Sequence, residues 1–228
     1  MSSVGKLTPP DVSTLTDVFD NPSWLASKGA VLGLDVDCTK AAVDLQNLRQ
    51  PGADEVIAAA LETLRCTAGA ECAALALMDE SGEKFTPPTV ARNPEAGIQL
   101  AELDGMELAR YPFLASRFEH LRLTEYRDTG EPGREGPAEA AQLAALGLRS
   151  VLVVALHMQQ KPAGILLLGR CILAERWDVN IRLLLKLIGT SLASGLERLA
   201  MQARLIELSE RAELLDAPAP RPGWCRSA

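Results

Sequence analysis

The feature that most constrains this chain is a pair of Val/Leu/Ile-rich runs, residues 149–157 and 163–170, separated only by Met158, Gln159, Gln160, Lys161 and Pro162. Two short apolar runs joined by so few turn-forming residues read as a β-hairpin. A long element follows. From 178 to 215 there is no proline and the only glycines are Gly189 and Gly195, which predicts one helix rising ~1.5 Å per residue. Ile181, Leu184, Leu185, Ile188, Leu192 and Leu196 give its first half a wide apolar face, the pattern of a helix packed on a sheet. The second half narrows to Met201, Leu205, Leu208, Ala212 and Leu215, spaced four, three, four and three, as in a coiled-coil seam. Pro218, Pro220 and Pro222 then end it.

Upstream, Val56, Ala59, Ala60 and Leu64 recur at helical spacing over 53–65, with Asp54 and Glu55 at the favourable end of the helix dipole and Gly69 as a stop. Residues 72–78 are small and continuously apolar, which fits a strand buried on both faces. Asp79, Glu80, Ser81 and Gly82 turn the chain into a second strand expected at 84–92, where Pro87 and Pro88 disfavour a central place. Residues 93–147 lose strand character. Leu103, Met106, Leu108 and Leu114 alternate with charges there, a short helix is expected at 138–146, and Gly130, Pro132, Gly133, Gly136 and Pro137 indicate a loop. Residues 1–52 read as a partly ordered leader, in which Ala41, Ala42, Leu45 and Leu48 mark a helical piece over 38–48 that docks on a later part of the chain.

Composition narrows the function classes. The 228 residues are 47% hydrophobic with a net charge of −7, so the chain can bury a core without disulfides or a structural metal. The acidic balance opposes general nucleic-acid or anionic-membrane binding, which needs a local excess of Lys and Arg. No apolar run approaches the ~20 residues of a membrane span. The N-terminus shows no apolar signal core, so the expected location is cytoplasmic, without membrane or nucleic-acid partners. Cys38, Cys66, Cys72, Cys171 and Cys225 show no CxxC spacing, and no metal site is expected.

Gly147, Arg149 and Ser150 before the first hairpin strand, Gly164, Leu166 and Leu168 in the second, then Trp177 and the long helix, resemble the C-terminal half of GAF domains, a family of small-molecule sensory and regulatory modules. The resemblance reaches back more loosely to about residue 53. It implies an α/β (α+β) fold, an antiparallel sheet with terminal helices on one face and a variable segment, 93–147, covering a ligand pocket on the other. The corresponding organisation is a leader (1–52), a GAF-like domain (53–200), a helical extension (201–216) and a Pro-rich tail (217–228).

Each ligand class of that family would require particular side chains. None of Asn21, Asn47, Asn93 and Asn180 precedes lysine, so the Asn-Lys signature of cyclic-nucleotide binders is missing. Segment 93–147 holds no cysteine, and a covalently attached bilin is not expected. His120 and His157 read as surface or strand-end residues rather than haem ligands. The family includes a free methionine sulfoxide reductase, whose thiol chemistry needs cysteines converging on the pocket. Here Cys66 would close a helix while Cys72 and Cys171 would begin and end strands, so core packing is the ordinary reading. Ser150 sits in no nucleophile elbow. The polar residues left in the segment include Arg110, Tyr111, Tyr126, Arg127 and Asp128. Of these Arg110, Tyr111, Tyr126 and Arg127 are the expected contacts of a small anionic ligand, with no cofactor assigned. The expectation is a non-enzymatic sensory module that dimerises through Met201, Leu205, Leu208 and Leu215. The tail after 216 is too short for an output domain, so the expectation is either that the signal reaches a partner protein in trans or that the chain is a remnant of a larger sensor. The alternatives are a ligand-free dimerisation scaffold and the thiol enzyme.

Overall fold

The computed structural model describes residues 35–118, 123–131, 136–172 and 176–216. Helix α1 (Val36–Gln46) is capped by Asp35, whose carboxylate accepts the Cys38 N–H at 2.9 Å. Helix α2 (Ala53–Ala68) carries Asp54 and Glu55 in its first turn and ends at Gly69. Strands β1 (Cys72–Leu77) and β2 (Thr89–Arg92) follow. Two 3₁₀ turns (Leu100–Leu103 and Leu108–Arg110) lead to α3 (Pro112–Phe118), β3 (Leu123–Tyr126) and α4 (Pro137–Ala145). The chain then forms β4 (Ser150–Met158), β5 (Lys161–Arg170) and α5 (Val179–Asp216). The five strands make one antiparallel sheet in the order β2-β1-β5-β4-β3.

Alternation along the strands divides the core in two. Ala73 and Leu75 of β1, Leu152, Val154 and Leu156 of β4, and Leu166 and Leu168 of β5 face α1, α2 and α5. Cys72, Ala74 and Ala76 of β1, Val151, Val153 and Ala155 of β4, and Ile165 and Leu167 of β5 face the 93–147 segment. Both faces are covered, which is why β1, β4 and β5 lack a polar side in the sequence.

Helix α5 comes close to its neighbours at two glycines. A Cβ on Gly189 would lie 3.1 Å from Val154 and 3.2 Å from Leu156 of the sheet, and one on Gly195 would lie 2.0 Å from the Leu45 carbonyl oxygen of α1. The helical piece expected in the leader thus docks on the long helix, with Arg198 donating to the Leu48 carbonyl at 2.9 Å. By length and composition the Val179–Ala212 span could cross a membrane, but half of its most apolar window is buried inside the protein, as in a core helix.

Three expectations need correction. Residues 93–147 contain a strand, β3, paired with β4 from Leu123↔Val154 to Tyr126↔Val151. At four residues its alternation is too brief to stand out from the charged sequence around it. The second strand begins at Thr89 rather than 84, because Pro87 and Pro88 have no N–H for the ladder. The hairpin turn is two residues, not five. Gln159 and Gln160 both have positive φ (51° and 62°), so pairing runs on to Met158↔Lys161, with an irregularity at Leu156/His157 that accommodates Pro162.

Gly195→Ala should therefore destabilise the protein. Overpacking costs up to ~3 kcal/mol and the gain in helix propensity returns about 1, so urea unfolding should show a net loss of ~2 kcal/mol. Thr190→Ala, at an exposed position of the same helix, should change little.

Candidate functional site

The segment covering the second sheet face is built from short pieces, each tied down by a few polar contacts. Ile98, Leu100, Leu103, Leu146 and Leu148 insert apolar side chains against the strands. Pro112 opens α3 at the helix start, where its missing N–H has no intrahelical partner to lose. The next residue's N–H, from Phe113, donates to the Glu139 carboxylate of α4 at 2.7 Å. Glu139 is only 3% exposed. It joins the first turns of α3 and α4, both ends where a helix presents unpaired N–H groups and welcomes negative charge.

Of the four expected ligand contacts, the structure gathers two in the core layer and leaves two at the surface. Tyr111 and Tyr126 are 6% and 7% exposed and belong to the same apolar layer over the sheet. Phe113 meets Tyr126 edge-on, with ring centroids 6.1 Å apart. Burial pushes the Tyr111 phenol above its usual range; Arg110 opposes that and Glu139 reinforces it. The phenol therefore keeps its proton and can donate a hydrogen bond. The Arg110 side chain is 71% exposed, with Nε 3.5 Å from Glu107, and Arg127 is exposed. Asp128 is engaged by Arg149, which donates to its two carboxylate oxygens at 2.7 and 3.1 Å and holds the carboxyl below its usual range. His120 lies outside the described residues.

Glu139 was not anticipated from the sequence. Its only signal is its place three residues after Gly136 and two after Pro137, a position that favours a carboxylate at a helix start. Glu125 was also missed. It points to the opposite side of β3 from Tyr126, where it accepts the Trp177 N–H at 3.3 Å and the Arg182 guanidinium of α5. Trp177 in turn donates its indole N–H to Ser150 at 3.0 Å and lies under the Arg170 guanidinium, 3.9 Å from the ring centroid. Arg170 reaches on to the Ala68 and Gly69 carbonyls at the end of α2. The strand that carries Tyr126 is thereby bonded directly to the root of the long helix.

Cys38 and Cys72 lie in the core, whereas the expectation that Cys66 packs there too is not met, because its position on α2 faces solvent. Burial pushes Cys72 up to about 12, with Cys171 beside it, and Cys38 up to about 11. Burial and then Glu71 raise Cys171 as well. Cys66 is exposed on α2, away from the second face, and Cys225 lies outside the described residues. Among the described residues no three of His, Cys, Asp or Glu are grouped to hold a metal ion.

No protein-family model matches the sequence, and no curated protein matches it. Solved structures do. The far-red absorbing dark state of JSC1_58120g3 with bound biliverdin IXa is 16% identical, with a TM-score of 0.59 over 72% of this chain and 99% of that one. The blue-light absorbing form of the Thermosynechococcus elongatus PixJ GAF domain is also 16% identical, with a TM-score of 0.55 over 72% of this chain and 98% of that one. The phycoerythrobilin-bound GAF domain of a cyanobacterial phytochrome is 11% identical, with a TM-score of 0.59 over 73% and 96%. The chain has the GAF-type fold, a five-stranded antiparallel sheet between terminal helices and a variable covering segment.

Thiol labelling tests the assignment of the cysteines. At pH 8 a thiol with a pKa of about 12 is ionised only about once in 10⁴ molecules. In the native protein an aromatic disulfide reagent should modify Cys66 rapidly and leave Cys38 and Cys72 unmodified until denaturant is added. Peptide mapping reads out each position.

Proposed function

We propose that this chain is a non-enzymatic sensory or regulatory module of the GAF type, which takes a small ligand between the sheet and the 93–147 segment and passes the signal along α5 to a partner protein. The observation that carries this reading is the continuity of α5. Its first half is built into the domain core, whereas Met201, Leu205 and Leu208 beyond it are 48%, 67% and 54% exposed. An apolar stripe projecting past a domain is the usual mark of an interface. The occupant is a second copy of the same helix, because the four-three spacing suits a two-helix seam. Leu215 continues the series within α5, though its side chain lies outside the described residues.

A ligand in the tyrosine layer would contact Tyr111 and Tyr126, with Arg110 and Arg127 turning inward from the surface to meet an anionic group. The signal is a shift between two packings of the helix pair, favoured unequally by the free and the bound domain. The contacts of Glu125 with Trp177 and Arg182 offer a direct route for it, since a displacement of β3 at Tyr126 moves the residue that holds the start of α5. The solved neighbours of this fold hold biliverdin and phycoerythrobilin, which supports the binding of a small molecule. A net charge of −7 favours protein and small-molecule partners over nucleic acid or membrane in a cytoplasmic setting. One observation favours a second reading, a dimerisation scaffold without a ligand: the buried Tyr111 and Tyr126 already fill the layer where the ligand would lie.

Replacing Leu205 and Leu208 together by glutamate places like charges across the seam. Light scattering at micromolar concentration should show a wild-type dimer and a monomeric variant with unchanged circular dichroism. A wild-type monomer would refute dimerisation through α5. Native mass spectrometry of protein exposed to cell extract separates sensor from scaffold. A retained small-molecule mass that falls markedly in the Arg110→Ala/Arg127→Ala variant supports the ligand reading, and no retained mass supports the scaffold.

A further inference from the structure

At the open edge of the sheet lies a cleft of about 690 Å³ between β2 with its preceding prolines and the segment 98–104. Arg92 links its two walls, its guanidinium donating to the Ile98 carbonyl at 3.4 Å. Pro88, Val90, Ile98 and Leu100 give it an apolar lining. The volume falls within the roughly 300–1,000 Å³ of small-molecule sites. Arg92 has no ion-pair partner among the described residues. A guanidinium offers five N–H donors in a planar fork that matches a carboxylate, and among the described residues only one of the five has a protein acceptor. Asp104 also lines the cleft, so the local charges sum to zero. That balance disfavours a polyanion such as a nucleoside triphosphate, whose additional charges would find no cation. It leaves room for one negative group on an apolar body.

We propose that this cleft binds a small monocarboxylate with an aromatic or aliphatic body, its carboxylate forked by Arg92 and its apolar part resting on Val90, Ile98 and Leu100. The cleft opens at the sheet edge and shares Ile98 and Leu100 with the cluster that holds the two tyrosines, but it does not depend on a ligand bound between them. It requires no movement of the sheet, because the guanidinium already lies on the cleft wall.

Three probes of one shape, 1-naphthoate, 1-naphthamide and 1-naphthylmethylammonium, test this by amide NMR titration of the full chain. Naphthoate should shift the amides of Val90, Arg92, Ile98 and Leu100 with submillimolar affinity. The neutral amide should bind about tenfold more weakly or worse, the order of effect of losing a charge-assisted hydrogen bond. Arg92→Gln should weaken naphthoate to a similar degree while the spectrum away from the cleft stays unchanged. Asp104→Asn should leave naphthoate binding intact or strengthen it. Equal affinities for naphthoate and naphthamide, a preference for the ammonium probe, or full binding by Arg92→Gln would overturn the proposal. So would shifts centred on Tyr111 and Tyr126, a result that would instead favour a ligand in the tyrosine layer.

Discussion

The structure depends on how closely α5 lies against the rest of the molecule. At Gly189 its backbone rests on Val154 and Leu156, and at Gly195 it lies against the carbonyl end of α1. Side chains at those two positions would lift the helix from the sheet and from α1 together. Loss of contact would then spread through Leu184, Leu185, Ile188 and Leu192, which form the floor of the helix-side core. Close packing turns small displacements into large costs. The same fit builds the first half of α5 into the domain core, while Met201 and the residues beyond it are exposed.

The other face follows different rules. Its cover is assembled from turns, two short helices and a four-residue strand, none of which could hold its shape alone. Polar links hold these pieces: Glu139 to the Phe113 N–H, Thr129 to the Leu148 carbonyl at 2.6 Å, and Arg149 to Asp128. A cover held by a few such bonds opens at lower free energy than a continuous core. The two faces of the sheet therefore differ in how they are held, one by a continuous helical layer and the other by short, separately fastened pieces. Glu125 of β3 bonds Trp177 and Arg182 on the helix side, on the opposite side of the strand from Tyr126.

The parts of the fold legible in the sequence are those whose cause is local. The 3.6-residue periodicity of α2 and α5, the continuous apolar character of β1, and the β4–β5 hairpin each follow from a burial pattern contained within one element. Gly147, Arg149, Ser150, Gly164 and Trp177 added the resemblance that implied an antiparallel sheet and the two-faced architecture. Structural roles now attach to several of them. Ser150 receives the Trp177 indole, and Arg149 fastens the end of β3 to the start of β4.

What the sequence by itself determined, then, is the framework of a sheet buried on both faces, a long helix whose apolar stripe runs past the domain, and Cys38 and Cys72 placed for packing. Tertiary structure alone decided which polar residues meet. Glu139 is an unremarkable helix-start acid until α3 arrives to donate its Phe113 N–H, and Arg92 is one more surface cation until segment 98–104 builds a cleft around it. Arg92, Arg110 and Arg127 are alike in composition and are all exposed, yet Arg92 has an apolar cleft beside it. The physical reason is that apolar periodicity repeats along an element and so leaves a readable trace. A polar contact instead depends on one pair of atoms brought together from distant parts of the chain, and no spacing in the sequence records it.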